Sequence, residues 1–329
     1  MADIEVYRVK MDLSGELTQI PDSQKLFGAL IYMYAEYAND DTASGFVSKI
    51  KDKKVYFALS DLLPYNFLPV PQTFLLDKLE TNRGKLDKKV YKAMKKRRYI
   101  KKEHLMDLIQ KREDAEYTYP YIAIQDFQQI HASVDSLSYG LAGLDPNVYS
   151  VPQIRAVKIE KAGDEAGRLV RNYEFYMAIE KCKEASDFLQ ILQLARQNKR
   201  PFFLGPRASQ GMNIFYMGEM FLQSQFYRYN FKRYLNLGML LPDKINYEES
   251  SLQLFTSERR PYNKKEGWDN SYKSKFISFI QAGSVIYARE TISEVGRSIS
   301  NSEDEKTIIF GNSFLYPMEG DASGVYEKY

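Results

Sequence analysis

The sequence predicts an α+β protein, and three observations carry that expectation. Strand-like segments outnumber helical ones. The earlier part of the chain runs strand, helix, strand, insertion, strand, helix, strand. The 329 residues, at ~150 residues per domain, leave room for about two domains. This order is the ferredoxin-like, split βαβ plan, which is also the plan of the RNA-recognition motif.

Each element has its own signal. Ile4, Val6, Val9 and Met11 read as a first strand. Pro21, Asp22 and Ser23 supply a helix start, with Asp22 or Ser23 as N-cap. Leu26, Leu30, Met33 and Tyr37 continue at helical spacing, and Asn39-Asp40-Asp41 ends that helix. Lys54 to Ser60 reads as a strand, whereas the prolines between Leu62 and Pro71 argue against regular structure there. Asp87 to Lys111 reads as one or two basic helices, with Val90, Met94, Leu105, Leu108 and Ile109 on the apolar side. Tyr119 to Phe127 is a strand, and Ile154 to Ile159 is a short one inside the Ser-, Gly-, Pro- and Asp-rich stretch from His131 to Gly167. Asn172 to Ile179 is a strand, and Ser186 then caps a helix to Gln197 with Phe188, Leu189, Leu192 and Ala195 inward. Strands Pro201–Leu204 and Ile214–Met217 frame a Gly-containing loop. A second module follows: Leu235–Leu241, Leu252–Phe255, a two-strand run Lys275–Ala288 around Gly283, and Thr307–Tyr316.

Composition narrows the function classes. Apolar residues at 44% and charged residues at 27% exclude disorder for most of the chain. No run of about 18 apolar residues exists, so no membrane span is expected. The acidic start Met1–Tyr7 runs straight into a strand pattern and does not read as a secretory signal. The single Cys182 excludes an intramolecular disulfide and a Cys-cluster metal site, which fits a reducing, cytoplasmic setting. With only His104 and His131, imidazole-rich metal sites cannot be built, and no cofactor is expected. The 26 Tyr and 19 Phe serve either a core or base stacking.

The net charge of +3 hides a polarised distribution. Arg83 to Arg112 holds thirteen basic residues against Asp87, Glu103 and Asp107, a local charge of +10 against −7 for the remainder. Such a cluster, densest at Lys95, Lys96, Arg97 and Arg98, is either a polyanion footprint or a solvated helix face.

Motif tests are mostly negative. Neither a nucleotide-binding Gly-rich signature, a zinc-protease helix motif, a calcium loop, a Gly-x-Ser-x-Gly elbow nor the aromatic pattern of RNA-binding sheets is present. The loop Gly205, Pro206, Arg207, Ala208, Ser209, Gln210, Gly211 and Asn213 is the most informative stretch. From Arg196 to Gly218 four basic residues meet no acid. Glycines admit close approach of a phosphate, successive amides can form an anion nest, and Arg, Ser, Gln and Asn add polar contacts. The alternative is an ordinary hairpin turn. His131 reads as a general acid or base, or as a structural residue.

Several stretches together resemble the repeat-associated (RAMP) proteins of CRISPR systems, and among them the type III-A (Csm) subunit type that caps the 5′ handle of the CRISPR RNA. They are SQKLFGAL (23–30), LSDLLPYNFLPVPQ (59–72), RAVKI with AGRL (155–159, 166–169), LGPRASQGMN (204–213), LGMLLP (237–242), AGSVI (282–286) and FGNSFLYP (310–317). The resemblance covers most of the chain in order; the 204–213 loop departs from it in having two glycines rather than a denser run. It implies two ferredoxin-like domains, 1–222 and 223–329, the first carrying a thumb-like β-hairpin (about 131–171); the helical insertion of that domain (about 83–112) matches no motif of the family. It implies a non-catalytic subunit that binds the crRNA 5′ handle, docks the large polymerase-type subunit and a backbone RAMP subunit, and meets target RNA only indirectly. The loop Gly205–Asn213 would then cradle handle phosphates. Arg155 and Arg168 would lie in the thumb, and Ser23 and Lys25 would face the same groove. The alternative from the same superfamily is a metal-independent endoribonuclease that processes precursor crRNA with a histidine base.

Overall fold

The computed structural model describes residues 3–83, 87–110, 116–133, 147–164, 166–223, 226, 231–259, 275–301 and 304–318. β1 (Ile4–Ser14) leads to Asp22, which caps α1 (Ser23–Tyr37) by accepting the Lys25 amide. Asn39 does not simply end that helix. Its side chain accepts the Thr42 amide and starts α2 (Asp40–Lys51), with Asp40 and Asp41 in the favourable first turn. β2 (Phe57–Leu59) follows. The Pro-rich stretch, expected to be irregular, holds β3 (Leu63–Pro64) and β4 (Phe67–Pro69), two- and three-residue pieces each paired on one side, where proline is tolerated.

The basic segment is more broken than expected. α3 (Gln72–Arg83) and α4 (Lys88–Lys96) precede a strand, β5 (Tyr99–Lys101), and then α5 (Leu105–Gln110). Tyr99 and Ile100 are good strand formers and pair with Pro69 and Leu68 on one side and with Ile122 and Tyr121 on the other, which ends the helix. β6 (Tyr121–Ser133) and β7 (Asn147–Ile159) are thirteen-residue partners in continuous antiparallel register. β7 is longer than the short strand expected, because cross-strand pairing extends it beyond the apolar run. Residues 134–146 of the expected thumb lie outside the described residues. β8 (Arg168–Leu169) and β9 (Asn172–Glu180) lead to α6 (Lys183–Gln197). The cap of α6 is Cys182, not Ser186: the sulfur accepts the Ala185 amide at 3.4 Å, while Ser186 donates its hydroxyl to the Cys182 carbonyl. β10 (Pro201–Phe203) and β11 (Ile214–Leu222) close this part.

The first sheet has the order β10-β11-β1-β9-β2, all antiparallel, with β3 also beside β9. With β1, β2, β9 and β11 as its strands and α1 and α6 as its helices, this is the split βαβ order read from the sequence. α1, α2 and α6 cover one face, where Tyr34, Phe46, Phe57 and Phe188 meet in edge-on and tilted contacts over Phe175, Met177 and Phe215. The opposite face contributes Tyr176 and Ala178 to a second core with Leu68, Met94, Ile100, Leu235, Phe314 and Tyr316. That core ties the basic helix and the C-terminal strands to the same sheet.

The C-terminal strands are β12 (Arg233–Asn236), β13 (Leu254–Arg259), β14 (Lys275–Ile280), β15 (Val285–Tyr287), β16 (Ile299–Asn301), β17 (Asp304–Ile309) and β18 (Leu315–Pro317). They form a sheet β15-β12-β18 and two hairpins, β13–β14 and β16–β17. Among the described residues this part has strands and short turns but no α-helical layer. The expected single strand Thr307–Tyr316 is split between β17 and β18, because Phe310 turns into the first core and Phe314 into the second. The five-stranded sheet β4-β5-β6-β7-β8 is built from the chain between β2 and β9 of the first sheet.

Candidate nucleic-acid interface

The loop between β10 and β11 is shaped by two left-handed residues, Arg207 (φ 63°) and Gly211 (φ 79°), which bracket a single 3-10 turn, Ala208–Gln210. The amides at its C-terminal end are spent inside the chain. Gln210 and Met212 donate to the Arg207 carbonyl, Gly211 to that of Ala208, and Asn213 to that of Glu16. Its exposed side chains are Pro206, Ser209, Gln210 and Arg207, whose guanidinium donates to Gln210 Oε1 at 3.2 Å. Gly205 packs on Asn213, with only 2.7 Å between an added Cβ and that side chain.

Asn213 has another part than the ligand contact expected of it. A left-handed φ of 54° turns it inward, and it is fully buried. Its Nδ2 donates to the Pro206 carbonyl and to Thr18 Oγ1, and its Oδ1 accepts the Thr18 amide. Asn213 thus binds the loop to residues 15–18. Gly15 completes that joint: its φ is +89°, and a Cβ there would lie 1.9 Å from the Gly211 carbonyl oxygen.

The same 15–22 segment leads from the loop into a cleft of about 570 Å³. Leu17 bridges to Ile154 in β7, and Gln19, Ile20 and Asp22 line the cleft wall. Around it stand Lys25 from α1, Lys95 and Lys96 from the end of α4, and Arg98 just after it. The β6–β7 hairpin contributes Ile124, Asp126 and Ile154, and the C-terminal part contributes Met239, Gln253, Phe255 and Gln281. The structure thus unites one residue expected from the resemblance, Lys25, with the basic segment, whose role the sequence left open.

Local structure holds these cations in place. Asp22 accepts the Lys25 amide and pairs with its ammonium at 2.5 Å. The buried Gln72 amide donates to the carbonyls of Met94, Lys95 and Arg97, satisfying orphan groups at the end of α4. Arg97, expected with its neighbours on a charged surface, is 5% exposed. It donates to the Ala93 and Thr118 carbonyls and stacks over Tyr119 and Tyr121, because the helix turn that exposes Lys95 and Lys96 points position 97 inward.

Ser23 is also buried, not facing the groove. Its hydroxyl accepts the Met239 amide at 2.9 Å, and its own amide donates to Asp61 Oδ1 at 2.8 Å. Gly238 packs closely against it: a Cβ on Gly238 would lie 3.0 Å from Ser23 Oγ and 2.8 Å from the Leu59 carbonyl oxygen. Asp61 lines the cleft, and its carboxyl is pushed up to about 8 by burial and by the Asp22 charge, against the pull of Ser23 and Lys25. At neutral pH Asp61 is therefore mostly uncharged. Four cations then face the carboxylates of Asp22 and Asp126, and the cleft is net positive.

Arg155 and Arg168 are not among the residues lining the cleft. Arg155 stacks over Phe127 at 4.3 Å and approaches Glu16 at 3.7 Å, beside the loop joint. Arg168 is exposed on β8, opposite Lys158. His104 is half-buried, 3.7 Å from Glu103, and His131 pairs in backbone register with Tyr149. Gln19, Gln72, Gln253, Gln281, Tyr99 and Phe255 line the cleft unforeseen; only the position of Gln72 at the end of the 59–72 motif was a signal. Among the described residues, no helix is long and apolar enough to cross a membrane.

No protein-family model matches the chain, and no curated protein matches it. Solved structures do. A chain of the Csm3–Csm4 subcomplex in the type III-A CRISPR-Cas interference complex superposes with a TM-score of 0.56 at 14% identity, covering 96% of this chain and 100% of that one. A chain of the Csm1–Csm4 cassette in complex with pppApA gives 0.52 at 14% identity, over 96% and 98%. The same cassette with AMPPNP gives 0.50 at 15% identity, over 96% and 98%. Csm4 is common to all three, and the likeness runs nearly end to end in both directions: the chain has the fold of a Csm4-like RAMP subunit.

Proposed function

We infer that the chain is a non-catalytic, RNA-binding subunit of a type III-A CRISPR interference complex. The observation that carries this reading is the cleft, where Lys25, Lys95, Lys96 and Arg98 converge on a fold shared with chains of Csm4-containing complexes. Single-stranded RNA suits its chemistry. Lysine and arginine take phosphates, Tyr99 and Phe255 offer rings for stacking, and Gln19 and Gln281 offer amides to base edges. In this reading the strand held is the repeat-derived 5′ handle of the crRNA, with the Arg207 loop and Arg155 at its flank. The β6–β7 hairpin acts as the thumb at the junction of handle and guide. Residues 1–222 and 223–329 form two domains, and the large polymerase-type and backbone RAMP subunits are the protein partners. The alternative, a nuclease with a histidine base, would need an imidazole at the phosphate, and among the described residues lining the cleft none is a histidine.

Co-purification tests the reading. Tagged chain expressed with its neighbouring genes and a CRISPR array should retain one small RNA with a constant 5′ end, together with partner subunits, and should not cut precursor RNA when alone. Recovery without RNA, or cleavage abolished by His104→Ala or His131→Ala, would contradict it.

A further inference from the structure

We propose that the outer face of α4 is a second RNA contact surface, onto which a strand leaving the cleft continues. The idea rests on the reading of the cleft as an RNA site and extends its footprint. α4 has nine residues, of which Lys88, Lys89, Lys92, Lys95 and Lys96 are lysines and none is acidic. All five lysines are exposed. The two at its C-terminal end already line the cleft, so the remaining three begin where the cleft stops. At 1.5 Å per residue, Lys88 to Lys96 spans about 12 Å of continuous cationic surface.

Two features separate this face from a merely solvated one. The helix is anchored on its other side by Met94 in the second core and by the Gln72 and Arg97 contacts, so its lysines project from a fixed body. Tyr91 is 39% exposed on the outer surface, with Lys95 Nζ 4.7 Å from its ring centroid. An exposed ring flanked by cations is the combination used to hold single strands without sequence preference: stacking for a base, charge for the phosphates beside it. Continuity with the cleft favours the same strand over an acidic protein surface, because Lys95 and Lys96 belong both to this face and to the cleft lining.

The test uses the full chain and oligouridylates of increasing length. The shortest fills the cleft alone; the longer ones reach α4. The variant Lys88→Gln/Lys89→Gln/Lys92→Gln leaves the buried stripe untouched, and Tyr91→Ala is a second, independent variant. For long RNA, the lysine variant should bind more weakly and lose about 2 from the slope of log K against log salt, from three phosphate contacts at about 0.7 each. Tyr91→Ala should weaken long-RNA binding with the slope unchanged. Neither should alter binding of the shortest RNA. Equal long-RNA affinity in folded variants overturns the proposal. So does loss of partner-protein assembly with RNA affinity intact, which would assign the face to an acidic protein. If the wild type binds neither short nor long RNA, the cleft reading itself falls and takes this one with it, a pattern distinct from the other two.

Discussion

At the scale of single residues, the cleft combines fixed cations with one carboxyl whose charge depends on pH. Asp61 is held among Ser23, Lys25 and Asp22, and burial sets its carboxyl near 8 instead of the ordinary 3.8. The folded chain thus keeps a proton that the unfolded chain gives up near 3.8. Stability attached to this group is complete below that value and declines as pH rises toward about 8. Asp61→Asn keeps an oxygen for the Ser23 amide and removes the titration. Its denaturant midpoint should change less with pH over this window than that of the wild type. Its RNA affinity should also survive the passage through about pH 8, where the wild type gains a negative charge in the cleft and weakens. Parallel pH profiles of the two proteins would refute this assignment. Ser23, placed in the groove by the resemblance, and Asn213, named in the polar loop, are both buried joints: the Ser23 hydroxyl accepts the Met239 amide, and the left-handed Asn213 ties the loop to Thr18.

At the scale of elements, the basic segment is a short helix with two unlike sides. Lys95, Lys96 and Arg98 are exposed at the cleft, whereas Arg97 between them is a buried staple from α4 to the start of β6. Changing Lys95, Lys96 and Arg98 to Glu should cost each site no more than about 0.5 kcal/mol and abolish RNA binding. Arg97→Glu should instead cost about 2 kcal/mol or more, since it places a carboxylate against the Ala93 and Thr118 carbonyls. Thermal melts and RNA titrations of the two variants separate the roles; equal melting temperatures would refute the staple. The sequence could not distinguish these four neighbours, because charge alone carries no information on which helix side faces the protein. It did locate β1, α1, β9 and the β10–β11 hairpin, whose patterns are local. It missed α2, whose start signal Asn39-Asp40-Asp41 doubles as a stop for α1, and placed the α6 cap at Ser186 because cysteine is not an expected capping residue.

At the scale of the molecule, the split βαβ order was legible because its strands and helices alternate along the chain with strong periodicity. The cleft was not. Its walls come from residues 19–25, 61–72, 95–99, the β6–β7 hairpin and the 239–282 region, and their meeting depends on the shared second core. In the 205–213 loop the amides of Gln210, Gly211 and Met212 bond within the loop and that of Asn213 bonds Glu16, and Arg207 with its exposed neighbours flanks the cleft. The central claim is that the four cations around this cleft hold a single-stranded RNA. The most direct measurement is the salt dependence of binding for an RNA just long enough to fill it, in the wild type and in Lys25→Gln/Lys95→Gln/Lys96→Gln/Arg98→Gln. Four phosphate contacts predict a slope of log K against log salt of about −2.8 for the wild type, and a weak, nearly salt-independent residue of binding in the folded variant. A flat wild-type titration, or an unchanged slope and affinity in the variant, would contradict the account.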